Sequence, residues 1–446
     1  MSHASSYVGI GTNVSEAPRY RTVILGGGLA GLSAARFLGS DYLVLEQESV
    51  PGGLARSVCR DGFVFDFGGH ALHSTQPDWF DLLRRLNCDL FFQERKAFVN
   101  TPRGPIPFPF QYHLRNLPEP VYQECLDGLM APRPETADPD AGTPNYLRWL
   151  DSTFGPGICR HFMFPYNQKI WKVDLSRLTA EFAPQRIPAL ERRRLVEINL
   201  ESGSAAARTV AYPLSGGIQA IPDAFRAGVG PVRCNARVTA VNLSSKTVAV
   251  NGRETFRFEH LISTMPLPRF LGLVEDLPED VRRWIPDFDW LSVVVVNLGI
   301  GRERMTDMQR LYVSDPAVAF HKVVYNMNAA PGCVPAGHSS ISVEITCRKD
   351  ERLDLSRIER QVVDHLIRMG LLRNSDPIVF NQVLTSEFGY VLYDAQRTPL
   401  VEKCRRYLRP WDVHLCGRFG EWAYLNMDDV VENARQTVLR MNGHAG

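Results

Sequence analysis

Short apolar runs alternate with amphipathic stretches along the chain, and the first of them form a recognisable unit. Residues 22–25 are apolar and β-branched, which favours a buried strand. Residues 29–38 are rich in alanine and leucine and favour a helix, and the apolar run 42–45 favours a second strand. A strand, a helix and a strand in this order predict a βαβ unit.

The pattern changes twice in the middle of the chain. Residues 78–205 are predicted to be mainly helical, with a proline- and aspartate-rich loop at 132–144. From residue 212 onward strands are predicted instead. Period-two alternation at 232–252 indicates a hairpin, and 260–267 indicates a further strand.

The last third of the chain is predicted to be a sheet followed by short closing elements. Residues 290–390 are strand-rich and contain one amphipathic helix at 355–372. The strand and helix predicted within 413–442 are too short for a domain of their own. We therefore expect them to pack on the βαβ unit at the start of the chain.

Composition excludes several classes of protein. The 446 residues carry a formal net charge of +1 without a basic stripe, which argues against a nucleic-acid partner. The apolar run 290–300 contains Ser and Asn and favours a buried strand over a membrane span. Residues 1–20 lack the apolar core of a signal peptide and are expected to form a flexible tail. The nine cysteines form no CxxC pair, so neither a metal site nor a disulfide framework is expected, and the predicted location is cytoplasmic.

Glycines at the first strand–helix junction carry the strongest chemical signal. Gly26, Gly28 and Gly31 form a GxGxxG motif between the strand and the helix, and Glu46 follows the second strand. Glycines allow the backbone to approach a pyrophosphate, while the helix N-terminus offers unpaired N–H groups and the positive end of its dipole. The acid is placed to accept hydrogen bonds from a ribose, so the motif predicts a dinucleotide site.

A second glycine cluster follows the acid directly. Gly53 and Arg56 come after the second strand, and a strand-like run at 63–67 leads through Gly69 to His70. Repeated glycines near a nucleotide site are expected where the backbone lies close to a large flat cofactor.

Short motifs in a consistent order resemble the FAD proteins of the glutathione-reductase type. That group includes amine oxidases, protoporphyrinogen oxidases and UDP-galactopyranose mutases. Several segments are more similar to the mutases, particularly the eukaryotic type: FDFGGH (65–70), IPFPFQYHL (106–114), YNQKIW (166–171), PQRIP (184–188), YPLSGGI (212–218) and GRFGEWAYLNMDD (417–429). The chain is thereby identified as similar to UDP-galactopyranose mutases.

The resemblance implies an α/β protein. A discontinuous Rossmann-like FAD-binding domain is expected together with a helical domain and an antiparallel-sheet substrate domain. The expected bounds are 21–77 with 206–265 and 400–446 for the FAD-binding domain, 78–205 for the helical domain and 266–399 for the substrate domain. FAD is expected to bind non-covalently and to be active when reduced, with NADH or NADPH as a candidate reductant.

The same resemblance assigns residues to the cofactor. The cofactor-binding candidates are Gly26, Gly28, Gly31, Glu46, Gln47, Gly53, Arg56, Gly69, His70, Val238, Gly417, Arg418, Asn426 and Met427. Cys416 precedes this last group, at a place where some amine oxidases attach flavin covalently. A small buried residue at the end of a strand is the simpler interpretation here.

The predicted substrate is a nucleotide-diphosphate sugar. The resemblance places Phe110 and Gln111 at the base, assisted by Asn167 and Trp171. It also implies four residues on the diphosphate, which are Arg186, Tyr312, Tyr390 and Tyr424. Lys322 falls where the family has a second diphosphate arginine, and Phe108 replaces an aromatic hydroxyl near the base. The catalytic candidates are Arg186, Lys322, His70 and Arg418.

The implied reaction interconverts pyranose and furanose forms of the sugar through a reduced-flavin N5–sugar adduct, without net redox change. The alternative is an FAD-dependent oxidase or dehydrogenase of the amine oxidase or protoporphyrinogen oxidase type. A flavin-binding protein without enzymatic activity is a third hypothesis. The base, the sugar and the oligomeric state stay open.

Each site residue also has a structural interpretation. Arg186 is equally suited to an interdomain ion pair, and Lys322 to the solvated face of a strand. His70 is suited to a buried hydrogen-bonded position, and Trp171 to core packing.

Overall fold

A computed structural model of the protein describes residues 17–74, 76, 78–132, 145–188, 190–201 and 208–443. Most of the predicted tail and of the loop at 132–144 therefore lies outside the described residues. The tail prediction was wrong at its end, because the first strand already begins at Arg19. Arg19 and Tyr20 belong to that strand, where they are paired with Arg257 and Phe258.

The strands are short, apart from four strands of ten or more residues in the second half of the chain. In chain order they are β1 (Arg19–Leu25), β2 (Tyr42–Leu45), β3 (Ser57–Arg60), β4 (Phe63–Asp66), β5 (Leu90–Glu94), β6 (Ala97–Thr101), β7 (Gly104–Pro107), β8 (Thr209–Pro213), β9 (Val232–Arg233), β10 (Val238–Asn242), β11 (Thr247–Val250), β12 (Glu254–Ser263), β13 (Trp290–Ile300), β14 (Arg310–Tyr312), β15 (Lys322–Val324), β16 (Ser339–Arg348), β17 (Ile378–Val391) and β18 (Val413–Leu415).

The α-helices are listed in the same way. They are α1 (Leu29–Leu38), α2 (Trp79–Arg85), α3 (Glu119–Met130), α4 (Tyr146–Ile158), α5 (Phe164–Trp171), α6 (Ala183–Arg186), α7 (Arg192–Leu200), α8 (Ala220–Arg226), α9 (Leu267–Leu273), α10 (Glu279–Arg282), α11 (Leu355–Arg368), α12 (Arg397–Leu408), α13 (Gly417–Gly420) and α14 (Met427–Met441). None of the described helices combines the length and the hydropathy that a membrane span requires.

The chain is organised into two compact units. The first unit comprises the residues up to Gly53, Phe225–Asp287 and the residues from Val401 onward, and the second comprises Leu54–Ala224 and Phe288–Leu400. This grouping differs from the expected three-domain division. Residues 54–77 and 206–224 belong to the second unit, which also contains both the helical segments and the large antiparallel sheet.

The first unit is built around a mainly parallel sheet. Its strand order is β10-β11-β12-β1-β2-β9, with β18 also paired to β12. The pairs that join β12, β1, β2 and β9 are parallel, while β10 and β11 form an antiparallel hairpin, as the alternation predicted. Because β18 runs parallel to β12 and α14 packs on α1, the end of the chain completes the fold of its start.

The second unit contains a sheet in the order β17-β13-β16-β15-β14-β6-β7. The neighbours are antiparallel except for β14 and β6, which are parallel. The prediction that residues 78–205 are mainly helical was incomplete, because β5, β6 and β7 lie within them. These strands are stabilised by partners far away in sequence, since β5 pairs with β8 and β6 with β14.

An apolar layer lies between this sheet and α11. Val362 and Leu366 of α11 are fully buried in one cluster with Val294, Val296 and Val343 of the sheet. Residues 290–300 therefore form an interior strand, which explains the apolar run that the sequence shows there.

Candidate functional site

The glycine motif forms a tight turn at the start of α1. Gly26 has φ of +99°, a conformation that residues with a side chain rarely adopt. A Cβ atom on Gly31 would lie 2.0 Å from the Gly26 carbonyl oxygen, so only glycine allows the helix to approach β1 so closely. The buried Glu46 carboxylate holds this turn, since its Oε2 accepts a hydrogen bond from the Gly27 N–H at 2.7 Å.

The second glycine pair lies directly beside the first turn. The Gly52 N–H donates to the Gly27 carbonyl at 2.9 Å, and a Cβ atom on Gly28 would lie 3.7 Å from the Gly53 Cα. From the end of the chain, Gly417 packs against α1, because its Cβ atom would lie 2.4 Å from the Ala30 Cβ. The structure thus brings together glycines from three distant parts of the sequence.

These residues fit the pyrophosphate and ribose of FAD. The N-cap of α1 is Gly28, which has no side chain to cap the helix, and the first turn contains no acid. Free N–H groups at a helix N-terminus bind a phosphate. Each carboxylate oxygen of Glu46 accepts one backbone hydrogen bond, Oε2 from the Gly27 N–H and Oε1 from the Glu48 N–H. The remaining lone pairs are available to ribose hydroxyls.

The closing segment of the first unit holds Arg418 and Tyr424 together. The Arg418 guanidinium lies 4.6 Å from the centre of the Tyr424 ring, and its Nη1 donates to the Leu425 carbonyl at 3.4 Å. Asn426 caps α14: its side chain accepts from the Asp429 N–H, and the Asp429 carboxylate accepts from the Asn426 N–H at 3.0 Å. The predicted cofactor roles of these residues remain predictions.

Cys416 is fully buried at the end of β18. Burial, with a smaller contribution from the Glu421 charge, raises the pKa of its thiol to about 12. A thiol that resists ionisation is a poor nucleophile, which favours the interpretation as a small packed residue.

The remaining cofactor candidates occupy different environments. Gln47 is exposed and donates from its side chain to Glu48 at 3.1 Å, Val238 is buried at the start of β10, and Met427 begins α14. Arg56 belongs to the second unit, where its guanidinium lies 4.7 Å from the centre of the Phe67 ring.

His70 is oriented by a buried carboxylate that the sequence did not reveal. Its Nδ1 lies 3.3 Å from Asp66 Oδ2. Asp66 also accepts hydrogen bonds from the Ser57 hydroxyl at 2.6 Å, the Tyr212 hydroxyl at 2.9 Å and the Ile218 N–H at 3.2 Å. A carboxylate with this many donors is a fixed acceptor, so the contact favours the His70 tautomer that donates from Nδ1 and leaves Nε2 as an acceptor.

Three polar side chains form one row across the sheet of the second unit. Tyr312 of β14 is paired with Lys322 of β15, and Lys322 is paired with Glu344 of β16. Directly opposed residues on neighbouring strands have side chains on the same face and in contact. The Lys322 ammonium lies 2.6 Å from Glu344 Oε2, and both residues are buried, with 8% and 4% of their surface exposed.

Lys322 is therefore not on a solvated strand face, so that interpretation was wrong. Glu344 also accepts a hydrogen bond from the Tyr390 hydroxyl at 2.9 Å and one from the Gly69 N–H at 3.3 Å. The His321 ring lies 3.5 Å away from its Oε1. One buried carboxylate thus connects three of the residues predicted from sequence.

Arg186 lies against two aromatic rings that also contact each other. Its guanidinium carbon is 4.7 Å from the centre of the Trp171 ring and 5.2 Å from that of Tyr390. Trp171 ends α5, Tyr390 lies in β17 and Arg186 ends the short helix α6, so three distant segments meet here. Trp171 is buried, as expected for a residue of the core, and its ring also contacts the guanidinium. Stacking keeps a guanidinium planar and oriented while its charge stays available.

The electrostatics of this cluster affect several groups. Burial favours the neutral form of Tyr312, but Arg95, Arg310 and Lys322 outweigh it and lower the pKa of its hydroxyl to about 8. Burial lowers the pKa of His321 to about 4, so the ring is neutral at pH 7. Burial also opposes the charge on Glu344, yet Lys322 overcomes this and holds the carboxyl pKa well below its usual range.

The predicted base-binding residues face the interior of the second unit. Phe110 is buried and stacks on Phe162 with 5.1 Å between ring centres. Gln111 donates from Nε2 to the Pro188 carbonyl at 2.6 Å. Asn167 accepts from the Tyr146 hydroxyl at 2.8 Å and donates to the Met163 carbonyl at 2.8 Å. These hydrogen bonds fix the local backbone, and contact with a base remains a prediction.

Sequence reasoning missed Glu344, His321, Asp66 and Arg95. A usable signal existed for Glu344, which is the only charged residue between Ser339 and Cys347 in an otherwise apolar and hydroxyl-bearing strand. A lone carboxylate in a buried strand requires a partner. Arg95 gave no such signal, because its partner Tyr312 is more than 200 residues away.

Comparisons with known proteins place this geometry in a family. The reduced form of a UDP-galactopyranose mutase is similar over 96% of this chain and 94% of its own, with a TM-score of 0.88 and 25% identity. A putative protoporphyrinogen oxidase from Exiguobacterium shares the fold, with a TM-score of 0.75, 15% identity and coverage of 96% and 100%. A putrescine oxidase does so as well, at a TM-score of 0.65 and 16% identity over 96% and 100% of the two chains.

A shorter match is to a chloroplastic protein of an Oncidium hybrid cultivar, prolycopene isomerase 2. The two are 35% identical over 109 residues, which is 24% of this chain and 17% of the relative's length. The profile of the flavin-containing amine oxidoreductases extends much further and matches residues 29–390. The chain therefore belongs to the family of flavin-containing amine oxidoreductases.

Proposed function

We propose that the protein is an FAD-dependent nucleotide-sugar mutase that interconverts the pyranose and furanose forms of its substrate. The observation that carries this proposal is the arrangement of Arg186, Lys322, Tyr312 and Tyr390 within one unit. One stacked guanidinium, one ammonium and two phenols are the donors that a diphosphate requires. The likeness to a UDP-galactopyranose mutase over nearly the whole chain supports the same function.

The family implies FAD, and the glycine turns fit it. When bound and reduced, FAD supplies the nucleophile for the exchange at the anomeric carbon. Arg186 and Lys322 would stabilise the negative charge that develops as the diphosphate departs. Glu344 would hold the Lys322 ammonium in place, and its negative charge would offset part of the positive field of Lys322.

His70 is the candidate for proton transfer. In the tautomer that donates from Nδ1 to Asp66, Nε2 would accept a proton from a sugar hydroxyl and return it. The His70 side chain is 23% accessible, so a substrate hydroxyl is able to reach it.

The direct test is to incubate the dithionite-reduced protein with a panel of UDP-, GDP- and dTDP-sugars. Products are separated by chromatography and identified by NMR. We expect a furanose from at least one donor, in a reaction that stops when the flavin is oxidised. If no donor gives a furanose and the oxidised protein releases peroxide with an amine or ring substrate, the oxidase alternative replaces this proposal.

The affinity for nucleotide should also depend on the ionisation of Tyr312. Its neutral hydroxyl donates to a phosphate, whereas the phenolate repels one. Because the pKa of Tyr312 is lowered to about 8, UDP affinity should fall about tenfold per pH unit above that value. Isothermal titration of the wild-type protein and of Tyr312→Phe between about pH 7 and about pH 9.5 checks this. A phenylalanine variant that shows the same fall would assign it to another group.

A further inference from the structure

The loop between β14 and β15 connects two residues assigned to the diphosphate. Tyr312 ends β14 and Lys322 begins β15, and the two are opposed across the strand pair. The Val313 N–H donates to the His321 carbonyl at 2.9 Å, so residues 313–321 form the loop of a β-hairpin. Because this loop joins the two strands directly, its conformation affects how the Tyr312 hydroxyl and the Lys322 ammonium lie relative to each other.

Lys169 of α5 holds the first part of the loop. Its Nζ donates to the Val313 carbonyl at 3.1 Å and to the Asp315 carbonyl at 2.7 Å. The helix is itself fixed to the sheet, because the Thr346 hydroxyl donates to the Ile170 carbonyl at 2.7 Å. Lys169 thereby links β14 to the helix that carries two of the predicted substrate residues.

His365 of α11 holds the later part of the loop from the opposite face of the sheet. Its Nδ1 accepts a hydrogen bond from the Ala319 N–H at 2.8 Å, and 4% of the residue is exposed. A ring nitrogen that accepts from an N–H carries no proton, so this contact requires a neutral ring. Val318 and Phe320, on either side of Ala319, are buried in the apolar layer between the sheet and α11. A lost acceptor is therefore not readily replaced by water.

Titration affects the two contacts differently. The charged groups that face the two side chains are Arg368 and Asp364 of α11, Asp315 of the loop and Lys172 at the end of α5. Burial, together with the charges of Arg368 and Lys169, lowers the pKa of His365, so the ring is neutral at pH 7 and gains a proton only in more acidic solution. Burial lowers the pKa of Lys169 to about 7, yet an uncharged amine keeps two N–H donors for its two carbonyls. Proton uptake by His365 is thus the step that breaks a contact.

We propose that Lys169 and His365 are positioning residues for the diphosphate site, which hold the 313–321 loop from both faces of the sheet until His365 takes up a proton. The inference rests on the proposed function, which assigns the diphosphate to the residues at both ends of this loop. Neither side chain need touch the ligand, since both act through the backbone between Tyr312 and Lys322. Affinity for a nucleotide sugar should therefore decrease in acidic solution.

Hydrogen–deuterium exchange of the FAD-loaded protein tests the loop itself. Exchange is followed by mass spectrometry from about pH 8 to about pH 5, on peptides that cover residues 313–321 and on peptides of β13 as the reference for global opening. After correction for the intrinsic exchange rate at each pH, we expect the protection of the loop to fall about tenfold toward the acidic end. The protection of β13 should change by less than about twofold.

Binding tests the effect on the site. Dissociation constants of UDP-galactose, GDP-mannose and dTDP-glucose are measured by isothermal titration over the same range. The diphosphate of each ligand is a diester that stays ionised throughout, so a change in affinity reports on the protein. We expect the ligand that binds most tightly to lose about tenfold in affinity, in parallel with the protection of the loop.

Four variants make the result specific. His365→Asn supplies an amide oxygen that accepts from the Ala319 N–H without titrating, so the loop and the affinity should become insensitive to acid. Lys169→Met should lower the protection of the loop about tenfold at about pH 8, and it should raise the pH at which the His365 contact is lost, because a positive charge beside that ring is removed. Lys169→Arg, which retains a charged donor, should recover part of this loss. His161→Asn is the control, since it alters a partly buried histidine of the same unit whose partner is Glu124, and it should leave both pH profiles unchanged. FAD content and thermal denaturation verify that each variant is folded.

Three outcomes overturn the inference. They are a loop whose protection is the same at both ends of the pH range, a His365→Asn variant that retains the wild-type profile, and a loop that loosens without any loss of affinity. Failure of the proposed function has a different signature. Furanose formation with a loop that is insensitive to pH would refute this inference alone. A pH-dependent loop and affinity without furanose would refute the mutase proposal alone, and the absence of binding at every pH would refute both.

Discussion

Replacing either member of the Lys322–Glu344 pair should lower the free energy of unfolding by about 3–5 kcal/mol. Lys322→Met leaves the Glu344 carboxylate buried without its closest cation, and Glu344→Gln leaves the ammonium buried without a counter-charge. The unpaired charge must then lose its hydration without compensation. Urea denaturation of the FAD-loaded protein, read as the shift in midpoint at constant slope, measures this loss.

A double variant distinguishes the contribution of the ion pair from the cost of leaving one charge buried and unpaired. Lys322→Met combined with Glu344→Leu removes both charges and should recover most of the loss, since buried ion pairs add little beyond a well-packed apolar pair. Recovery should be incomplete, because Tyr390 and the Gly69 N–H lose the acceptor that they share. Arg19→Met is the control: its ion pair with Glu259 is exposed and should contribute less than about 1 kcal/mol.

His321 gives this prediction a pH dependence. In the wild-type protein its pKa is lowered to about 4, so the folded state stays unprotonated while the unfolded state binds a proton below about pH 6.5. Stability is therefore lost as the pH falls from about 6.5 toward 4. Removing the Lys322 charge makes it easier for His321 to take up a proton beside Glu344. The deficit of Lys322→Met should accordingly be smaller at about pH 6 than at about pH 8, and an equal deficit at both would contradict this coupling.

Local sequence patterns predicted the elements whose stability is decided locally. The helix expected at 29–38 is α1, the strand expected at 42–45 is β2, and the run 290–300 is β13. The helix predicted to end at residue 372 stops at Arg368, because Gly370 takes a left-handed conformation with φ of +69° just beyond it. Glycine at that position was the signal for the earlier end.

Elements that depend on distant partners could not be predicted in the same way. The strands β5, β6 and β7 are short, and the sequence around them contains helix-forming residues on both sides. Their pairing is decided by β8 and β14, which are more than 100 residues away. A pattern-based prediction evaluates neighbours in sequence, whereas these strands are stabilised by neighbours in space.

The residues of the candidate site also divide into those that a local motif predicts and those that depend on distant partners. The glycine turn and Glu46 follow from a motif because a helix N-terminus beside a tight turn is a local structure. Arg186, Tyr312 and Tyr390 followed only from a family resemblance. Glu344, which contacts Lys322 and Tyr390, was missed, since the register that opposes Lys322 to Glu344 is a property of the assembled sheet. Buried charges in a sheet are paired across strands, and the sequence does not record which strands are adjacent.

Arg186→Ala should reduce kcat/KM for the nucleotide sugar by roughly 100-fold to 1,000-fold while FAD content stays at the wild-type level. The guanidinium contacts the rings of Trp171 and Tyr390 in the second unit, whereas the glycine turn that fits the FAD pyrophosphate lies in the first. Flavin content is read from the absorbance ratio of the purified protein, and kcat/KM from furanose formation. Loss of flavin in this variant would assign Arg186 to the cofactor.

Arg186→Lys tests whether shape or charge is responsible. Lysine retains the charge, but it lacks the planar guanidinium that lies against the two rings. We therefore expect kcat/KM of the lysine variant to exceed that of the alanine variant by less than about tenfold. Arg397→Ala is the matched control, because Arg397 also lies over an aromatic ring of the second unit, 4.5 Å from the centre of Tyr393, and has no assigned ligand. If Arg397→Ala were as deleterious as Arg186→Ala, the effect would report general packing of stacked arginines. We expect kcat/KM to fall strongly in both Arg186→Ala and Arg186→Lys, and to change little in Arg397→Ala. This result would mean that Trp171 and Tyr390 act by orienting a guanidinium toward the departing diphosphate.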